Sequence, residues 1–140
     1  MLRVAADTNI YVSALIFGGP PLRLLEMALA SEIQLVISQP LLEELGDVLG
    51  RKFHLSSDRL ARSMAYVKAC TELVSPSKTL SIVMDDPDDD RVLECAQAGL
   101  ANFIVTGDKH LLRLQQVEGR RIVRVAEFLQ MVDNDAAGDT

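Results

Sequence analysis

Residues 4–9 read VAADTN and residues 103–108 read FIVTGD, so each segment is a short apolar run with polar residues directly behind it. Short apolar runs with polar flanks are typical of strands buried inside a parallel sheet. Further apolar runs lie at 33–37, 73–74 and 121–125, and stretches with apolar residues at helical spacing separate them. Strands that alternate with helices predict an α/β domain of three layers, with a parallel sheet and right-handed crossovers.

The length and composition predict one folded domain. Of the 140 residues, 49% are hydrophobic and 24% are charged, as in ordinary globular proteins. We expect the domain to span residues 1–132 and the polar residues 133–140 to form a frayed tail. The sequence has no apolar run of membrane-spanning length and no secretory leader pattern. Cys70 and Cys95 lack the spacing of a disulfide framework, so we predict a cytoplasmic protein with reduced, buried thiols and no membrane contact.

The net charge of −6 argues against simple nucleic-acid binding, because such binding normally rests on Lys and Arg that neutralise phosphates. It does not exclude an enzyme whose metal ions meet the phosphate, since bound ions are often the largest local charges in a site. Arg120, Arg121 and Arg124 form a basic cluster near the last predicted strand. For this cluster a solvated face and an RNA contact both stay open.

Two aspartates follow predicted strands at the same relative place. Asp7 comes directly after the first strand, and Asp108 comes two residues after Thr106, where the fourth strand ends. The carboxyl ends of parallel strands meet at one edge of a sheet, where the sites of open α/β folds collect. Each aspartate could also cap the helix that follows it, but a capping residue can still be a metal ligand. Because clustered carboxylates repel one another unless cations lie between them, a divalent-metal site is predicted at this edge.

A dense acidic run at residues 85–90 reads DDPDDD and leads into a predicted helix. At ~100° per residue, Asp89 shares the inward-facing apolar stripe of that helix, whereas Asp90 projects roughly to the opposite side. Burying a lone carboxylate is costly unless something compensates it, so we expect Asp89 to be a ligand and Asp90 to be solvated. A calcium loop is excluded because Arg91 occupies the position at which such a loop requires glycine.

A fourth acidic candidate lies on the helix after the second strand. The apolar stripe of this helix centres near Leu45, which places Glu44 at its border and Glu43 on the outward face. A carboxylate at the border can lean over the sheet edge. Glu44 is therefore the predicted member of the site, and an ordinary exposed helix glutamate is the alternative.

Other catalytic chemistries lack their sequence patterns. His54 and His110 have no companions at zinc-ligand spacing. Ser13 and Ser38 do not lie in the G-x-S-x-G setting of serine hydrolases. The glycine-rich run at 18–21 lacks the ending of a phosphate-binding loop. A metal-assisted hydrolase is thus the predicted function.

Four segments of the chain carry a family resemblance. They are ADTN at residues 6–9, the helix at 38–49 with its LEEL, DPDDDRVLECA at 86–96 and VTGDKHLL at 105–112. In this order they resemble the PIN-domain ribonucleases, and within them the VapC-like toxins of toxin–antitoxin pairs. The resemblance implies a PIN-like fold whose twisted parallel sheet has about five strands flanked by helices.

The same resemblance implies roles for particular residues. The acidic catalytic positions are Asp7, Glu44, Asp89 and Asp108, of which Asp7, Asp89 and Asp108 would bind Mg²⁺ or Mn²⁺. The supporting polar positions are Thr8, Asn9 and Thr106. Whether Asp86 or Asp90 assists Asp89, and whether Glu43 replaces Glu44, stays open.

The resemblance also implies RNA as the substrate, products with a 5′-phosphate and a 3′-hydroxyl, a homodimer and a small antitoxin that obstructs the acidic groove. A catalytically silent PIN fold that acts as a binding module is the alternative. A receiver domain is less favoured, because it needs an acidic pair near the end of strand one and an aspartate after strand three. A dehalogenase-type phosphatase would need Asp-x-Asp, but the second position is Asn9.

Overall fold

The computed structural model describes residues 1–77 and 87–138, and the side chains of 87–89 and 135–138 lie outside that description. Strands and helices alternate along the chain. The strands are β1 Arg3–Ala6, β2 Gln34–Ser38, β3 Thr71–Val74, β4 Phe103–Val105, β5 Gln116–Val117 and β6 Arg120–Val123. The helices are α1 Thr8–Phe17, α2 Gly19–Leu29, α3 Gln39–Arg51, α4 Ser57–Cys70, α5 Pro87–Ala98, α6 Lys109–Leu114 and α7 Val125–Gly138.

Within the described ranges, the strands form one sheet in the order β3-β2-β1-β4-β6-β5. The pairs from β3 to β6 are all parallel, and β1 lies between β2 and β4. The chain proceeds outward in one direction through β1, β2 and β3, and in the other through β4 and β6. The order therefore reverses between β1 and β4, and such a reversal leaves a crevice at the carboxyl ends of the two strands. The predicted parallel α/β sheet is confirmed.

The short antiparallel strand β5 was not predicted. Gln116 and Val117 pair with Arg121 and Arg120 across a two-residue turn. Glu118 and the glycine after it have φ values of 52° and 82°, and two consecutive positive φ angles are typical of a type I′ hairpin. A two-residue strand is too short for its periodicity to be read from sequence. Its ladder ends at Arg121, and Ile122 N still donates to Gln115 O at 2.9 Å, so the edge of the sheet is left uncovered only at the carboxyl-terminal end of β6.

Helix α5 is buried on more than one face. It packs against β1, β2 and β4 and also contacts α3. Its buried residues include not only Val92 and Ala96 but also Asp90 and Glu94, which are 5% and 7% exposed. The prediction that Asp90 is solvated is therefore wrong. Helical phase separates Asp90 from the apolar stripe, but the residues of α5 off that stripe are buried as well.

Gly99 lies against the sheet at the end of α5. A Cβ atom built there would come within 2.6 Å of a methyl group of Val36 in β2, so no side chain fits without a shift. The helix end itself is made by the next residue, Leu100, which has a φ of 52°. Its amide donates to Gln97 O, and Ala101 N donates to Ala96 O, the bonding pattern of a Schellman motif. Glycine thus occupies the position of close packing and leucine the left-handed one.

The last helix is longer than predicted. Helix α7 runs from Val125 to Gly138 and so continues past residue 132, while residues 139–140 lie outside the description. That residues 133–140 form a frayed tail stays a prediction. Asp133 accepts a 2.8 Å hydrogen bond from Arg23 of α2. This ion pair ties the helix to a neighbour in a way that its local sequence does not reveal.

In the described ranges, no single helix has the length and apolar composition of a membrane span. The consecutive helices α1 and α2 meet those criteria only when they are taken together, and they are bent by 102° at the break between them.

Candidate active site

Asp7 is the centre of the site. It follows β1 directly and caps α1, with its Oδ1 accepting a 3.1 Å hydrogen bond from Ile10 N. Its own amide donates to Val105 O at the end of β4, at 3.2 Å. The residue is only 6% exposed. Asp7 is therefore held at the crevice between β1 and β4, as the sequence predicts.

The hydroxyl of Thr106 joins Asp7 to Asp108. Thr106 is fully buried and donates its hydroxyl hydrogen to Asp7 Oδ2. The hydroxyl oxygen of Thr106, Oγ1, in turn accepts a 3.0 Å hydrogen bond from the amide of Asp108. Asp108 caps α6, because its Oδ1 accepts hydrogen bonds from His110 N and Leu111 N at 2.7 and 3.3 Å. The two aspartates predicted to converge are thus linked through a single side chain.

Burial raises the pKa of Asp7. Loss of hydration is the largest cause, and the negative charge of Asp108 raises it further. Hydrogen bonds from Thr106, Ile10 N and Asn9 N act in the opposite direction without reversing the shift. Among the described residues, no Lys, Arg or His forms an ion pair with Asp7. A carboxylate in this state is stabilised by a nearby cation.

The polar neighbours of Asp7 differ in their environment. Thr8 is 5% exposed, and its hydroxyl has no hydrogen-bond partner in the described part of the chain. Asn9 is exposed beside it. Carboxylate and hydroxyl oxygens are hard ligands of the kind that Mg²⁺ and Mn²⁺ prefer. Asp7, Thr8 and Asp108 thus supply oxygen atoms of the type that such cations prefer, and the buried Thr8 hydroxyl has no other partner among the described residues.

The remaining acidic candidates are placed only in part. Glu44 is half-buried and Glu43 is exposed, as their helical phase predicts. The side chain of Asp89, like all of Asp86, lies outside the described residues. Among the side chains that are described, no three of the types His, Cys, Asp and Glu lie close enough to hold one metal ion. The convergence of all four carboxylates stays a prediction.

Glu94 is a buried carboxylate that no pattern in the sequence singles out. It lies one turn after Asp90 on α5 and accepts two hydrogen bonds from Arg91, at 2.9 and 2.6 Å. It also lines a groove of about 370 Å³ beyond the carboxyl ends of β2 and β3. The i,i+3 spacing of Arg91 and Glu94 could have indicated the pair, but not its burial.

Cysteine chemistry is excluded as the function of the buried thiols. Cys70 and Cys95 are both buried and free, as predicted. Burial raises the pKa of Cys95 to about 12 and raises the pKa of Cys70 as well. Because only the thiolate is nucleophilic, neither residue is suited to attack a substrate at neutral pH.

We expect Thr106→Val to lower the free energy of unfolding by about 1–3 kcal/mol at neutral pH. The substitution keeps the shape but leaves Asp7 Oδ2 without its donor and the Asp108 amide without its acceptor, and unsatisfied buried groups cost this much. The loss should shrink as acid protonates Asp7. Urea denaturation at neutral and acidic pH measures it. Thr106→Ser retains the hydroxyl and is the control, and equal losses in both variants would contradict the bridging role.

Comparison with known proteins agrees with this geometry. The model of the family described as the PIN domain matches residues 3–110, a range that contains β1 to β4 and both Asp7 and Asp108. The chain belongs to the PIN-domain family. PIN domains are in general nucleases, and they typically use divalent metal ions. The resemblance inferred from the sequence is confirmed at this level, and the VapC-like subgroup stays a prediction.

A relative matches most of the length of this chain, but its description assigns it no activity. The chain is 27% identical over 119 residues to an uncharacterized protein, MJ1680, of Methanocaldococcus jannaschii. The match covers 81% of this chain and 76% of that protein.

Proposed function

We propose that the protein is a metal-dependent ribonuclease that hydrolyses phosphodiester bonds in RNA. The observation that carries the proposal is the pair formed by Asp7 and Asp108, joined through Thr106 at the reversal point of the sheet. The buried Asp7 has a raised pKa and forms no ion pair within the described ranges. Residues whose surroundings disfavour the charged form, and so shift the pKa, are typical of functional sites.

The described residues have distinct roles in this proposal. Asp7 and Asp108, with the predicted ligand Asp89, would hold Mg²⁺ or Mn²⁺. Thr106 orients the carboxylate of Asp7 and sets the backbone position of Asp108. Glu44 completes the ligand set or orients the attacking water. When bound, a divalent cation lowers the pKa of a water and stabilises negative charge at the phosphate. The expected products carry a 5′-phosphate and a 3′-hydroxyl.

The test is cleavage of a fluorescently labelled single-stranded RNA by the purified chain with Mg²⁺, with Mn²⁺ and with EDTA. We expect cleavage with either metal and background with EDTA. Asp108→Asn should lower the rate by about 10²-fold or more, because it removes a charge that acts at the reacting phosphate. Asp58→Asn makes the same change at an exposed residue of α4 and should leave the rate unchanged.

Two outcomes contradict the proposal. Equal residual cleavage by wild type and Asp108→Asn would assign the activity to a contaminant. No cleavage of any RNA with either metal would favour the alternative of a catalytically silent PIN fold.

We further propose that the chain is the toxin of a toxin–antitoxin pair, acts as a homodimer and is inhibited by an antitoxin that covers the acidic groove. The support is the order of the four family segments along the sequence. Expression of the wild-type chain should then arrest growth, and expression of Asp7→Ala should not. Normal growth at equal levels of the two proteins would refute the toxin role and leave the nuclease proposal intact.

A further inference from the structure

Residues of β6 and its neighbours line a groove that extends to Arg124, the residue directly after β6. The groove has a volume of about 580 Å³ and is lined by residues from α6, β5, β6 and α7. Its lining includes Gln115, Gln116, Arg121, Arg124 and Glu127. This volume lies within the range of about 300–1,000 Å³ that holds ligands of small-molecule size, such as one nucleotide.

The register of the sheet places Arg124 next to the site. Val105 in β4 pairs with Val123 in β6, and Thr106 N donates to Val123 O at 3.0 Å. Arg124 therefore follows β6 at the same level at which Thr106 follows β4. Neighbouring strands are ~4.8 Å apart, so the backbones of Arg124 and Thr106 are one strand spacing apart.

The two arginines that line the groove, Arg121 and Arg124, differ in their ion pairing. Arg121 lies 3.8 Å from Glu127 and its guanidinium is 6.0 Å from the centre of the Phe103 ring. Arg124 is exposed and, in the described part of the chain, it makes no ion pair. The carboxylate that lines the groove is thus paired with one arginine, and the other arginine offers an uncompensated positive charge.

We propose that this groove binds the RNA nucleotide next to the scissile phosphate, and that Arg124 binds the phosphate of that nucleotide. The inference rests on the proposed ribonuclease function. A chain with a net charge of −6 and acidic residues at its site needs local cations to hold a polyanion. Arginine suits this contact because its guanidinium binds a phosphate through two parallel hydrogen bonds. The amides of Gln115 and Gln116 add neutral donors and acceptors along the same groove.

The experiment compares Arg124→Gln, Arg124→Lys and Arg59→Gln with wild type. Arg59 is an exposed arginine on α4, so its variant controls for the loss of one positive charge. Each protein is tested for cleavage of a short single-stranded RNA, with KM and kcat determined separately. Its affinity for the same RNA is measured by fluorescence anisotropy in EDTA, where turnover is absent.

We expect Arg124→Gln to raise KM and to weaken RNA affinity by about 10-fold, with kcat within about twofold of wild type. The slope of log affinity against log salt should become shallower by about 0.7, as expected when one contact to a single-stranded phosphate is lost. Arg124→Lys should recover most of the affinity, and Arg59→Gln should match wild type.

The failures of the two proposals are distinguishable. If wild type cleaves RNA but Arg124→Gln and Arg59→Gln have the same KM and affinity, the groove proposal is wrong and the ribonuclease stands. A fall in kcat with unchanged RNA affinity would also overturn it, because Arg124 would then act on the reaction rather than on binding. If wild type cleaves no RNA, the proposed function fails, and with it the inference.

Discussion

Asp7→Asn should lower RNA cleavage by about 10³-fold while it makes the protein more stable at neutral pH. The loss of activity follows from the removal of a charge at the proposed metal site. The gain in stability follows because Asp7 is buried and its raised pKa reflects a cost of holding the charge. Asparagine is as good a helix cap as aspartate, so the start of α1 is kept. We expect an increase of about 1 kcal/mol, or ~2–4 °C in Tm.

The stability gain of Asp7→Asn should depend on pH in a defined direction. The carboxyl of Asp7 ionises near its ordinary pKa of 3.8 in the unfolded chain and at a higher pH in the folded protein. Between these two values the folded state binds more protons, so the stability of wild type falls as pH rises. The difference in the free energy of unfolding between Asp7→Asn and wild type is therefore largest above the pKa of Asp7 in the folded protein. It disappears below pH 3.8, the ordinary pKa of the group. Thermal unfolding in EDTA across this range measures it.

The change in Tm on addition of metal tests whether Asp7→Asn removes a metal site, and Asp58→Asn is its matched control. Mg²⁺ or Mn²⁺ should raise the Tm of wild type and of Asp58→Asn, because a ligand that binds only the folded state stabilises it. The Tm of Asp7→Asn should not respond. A variant that is less stable than wild type at every pH would show instead that Asp7 is an ordinary structural cap, and the argument for a functional site would fail with it.

Gly99→Ala should lower the free energy of unfolding by about 1–3 kcal/mol. The new methyl group would lie 2.6 Å from one methyl carbon of Val36 and 2.9 Å from its Cβ, and overpacking of this kind costs such amounts. Gly46→Ala is the matched control, since Gly46 lies inside α3 and its nearest neighbours, atoms of Met64, are 3.9 Å away. There the same substitution should stabilise by about 0.5–1 kcal/mol through helix propensity.

Urea denaturation of the two glycine variants measures both effects. Val36→Ala removes the closest contacting methyl groups, so the combined variant Gly99→Ala/Val36→Ala should lose less stability than the sum of the two single changes. Strict additivity would mean that Val36 does not set the need for glycine. Equal effects of Gly99→Ala and Gly46→Ala would contradict the close packing of α5 on β2.

Much of the site could be predicted because its signals are local. Asp7 and Asp108 stand directly behind apolar runs, and the carboxyl ends of parallel strands share one edge wherever those strands lie in the sheet. Helical phase separated Glu44 from Glu43 because α3 has one buried face and one exposed face. The same rule gave the wrong environment for Asp90, because α5 has buried residues on more than one face.

Other features depend on elements that are far apart in the chain. The Thr106 hydroxyl contacts Asp7 across a separation of 99 residues in the sequence. The charge of Arg124, which has no ion pair among the described residues, lies near the site only because β6 pairs with β4. Neither contact is reflected in the periodicity or composition of its own segment. The sequence therefore indicates these residues as candidates but does not predict the contacts between them.

The sequence by itself determined the alternation of strands and helices, the positions of the capping aspartates and the membership of the PIN-domain family. These properties follow from side-chain patterns within a few residues of one another. Only the tertiary structure decided which carboxylates are buried, why Gly99 is a glycine and which arginine follows the strand next to β4. Burial and pairing of charge are set by the order of strands and the layers packed on them, and therefore by residues that are distant along the chain.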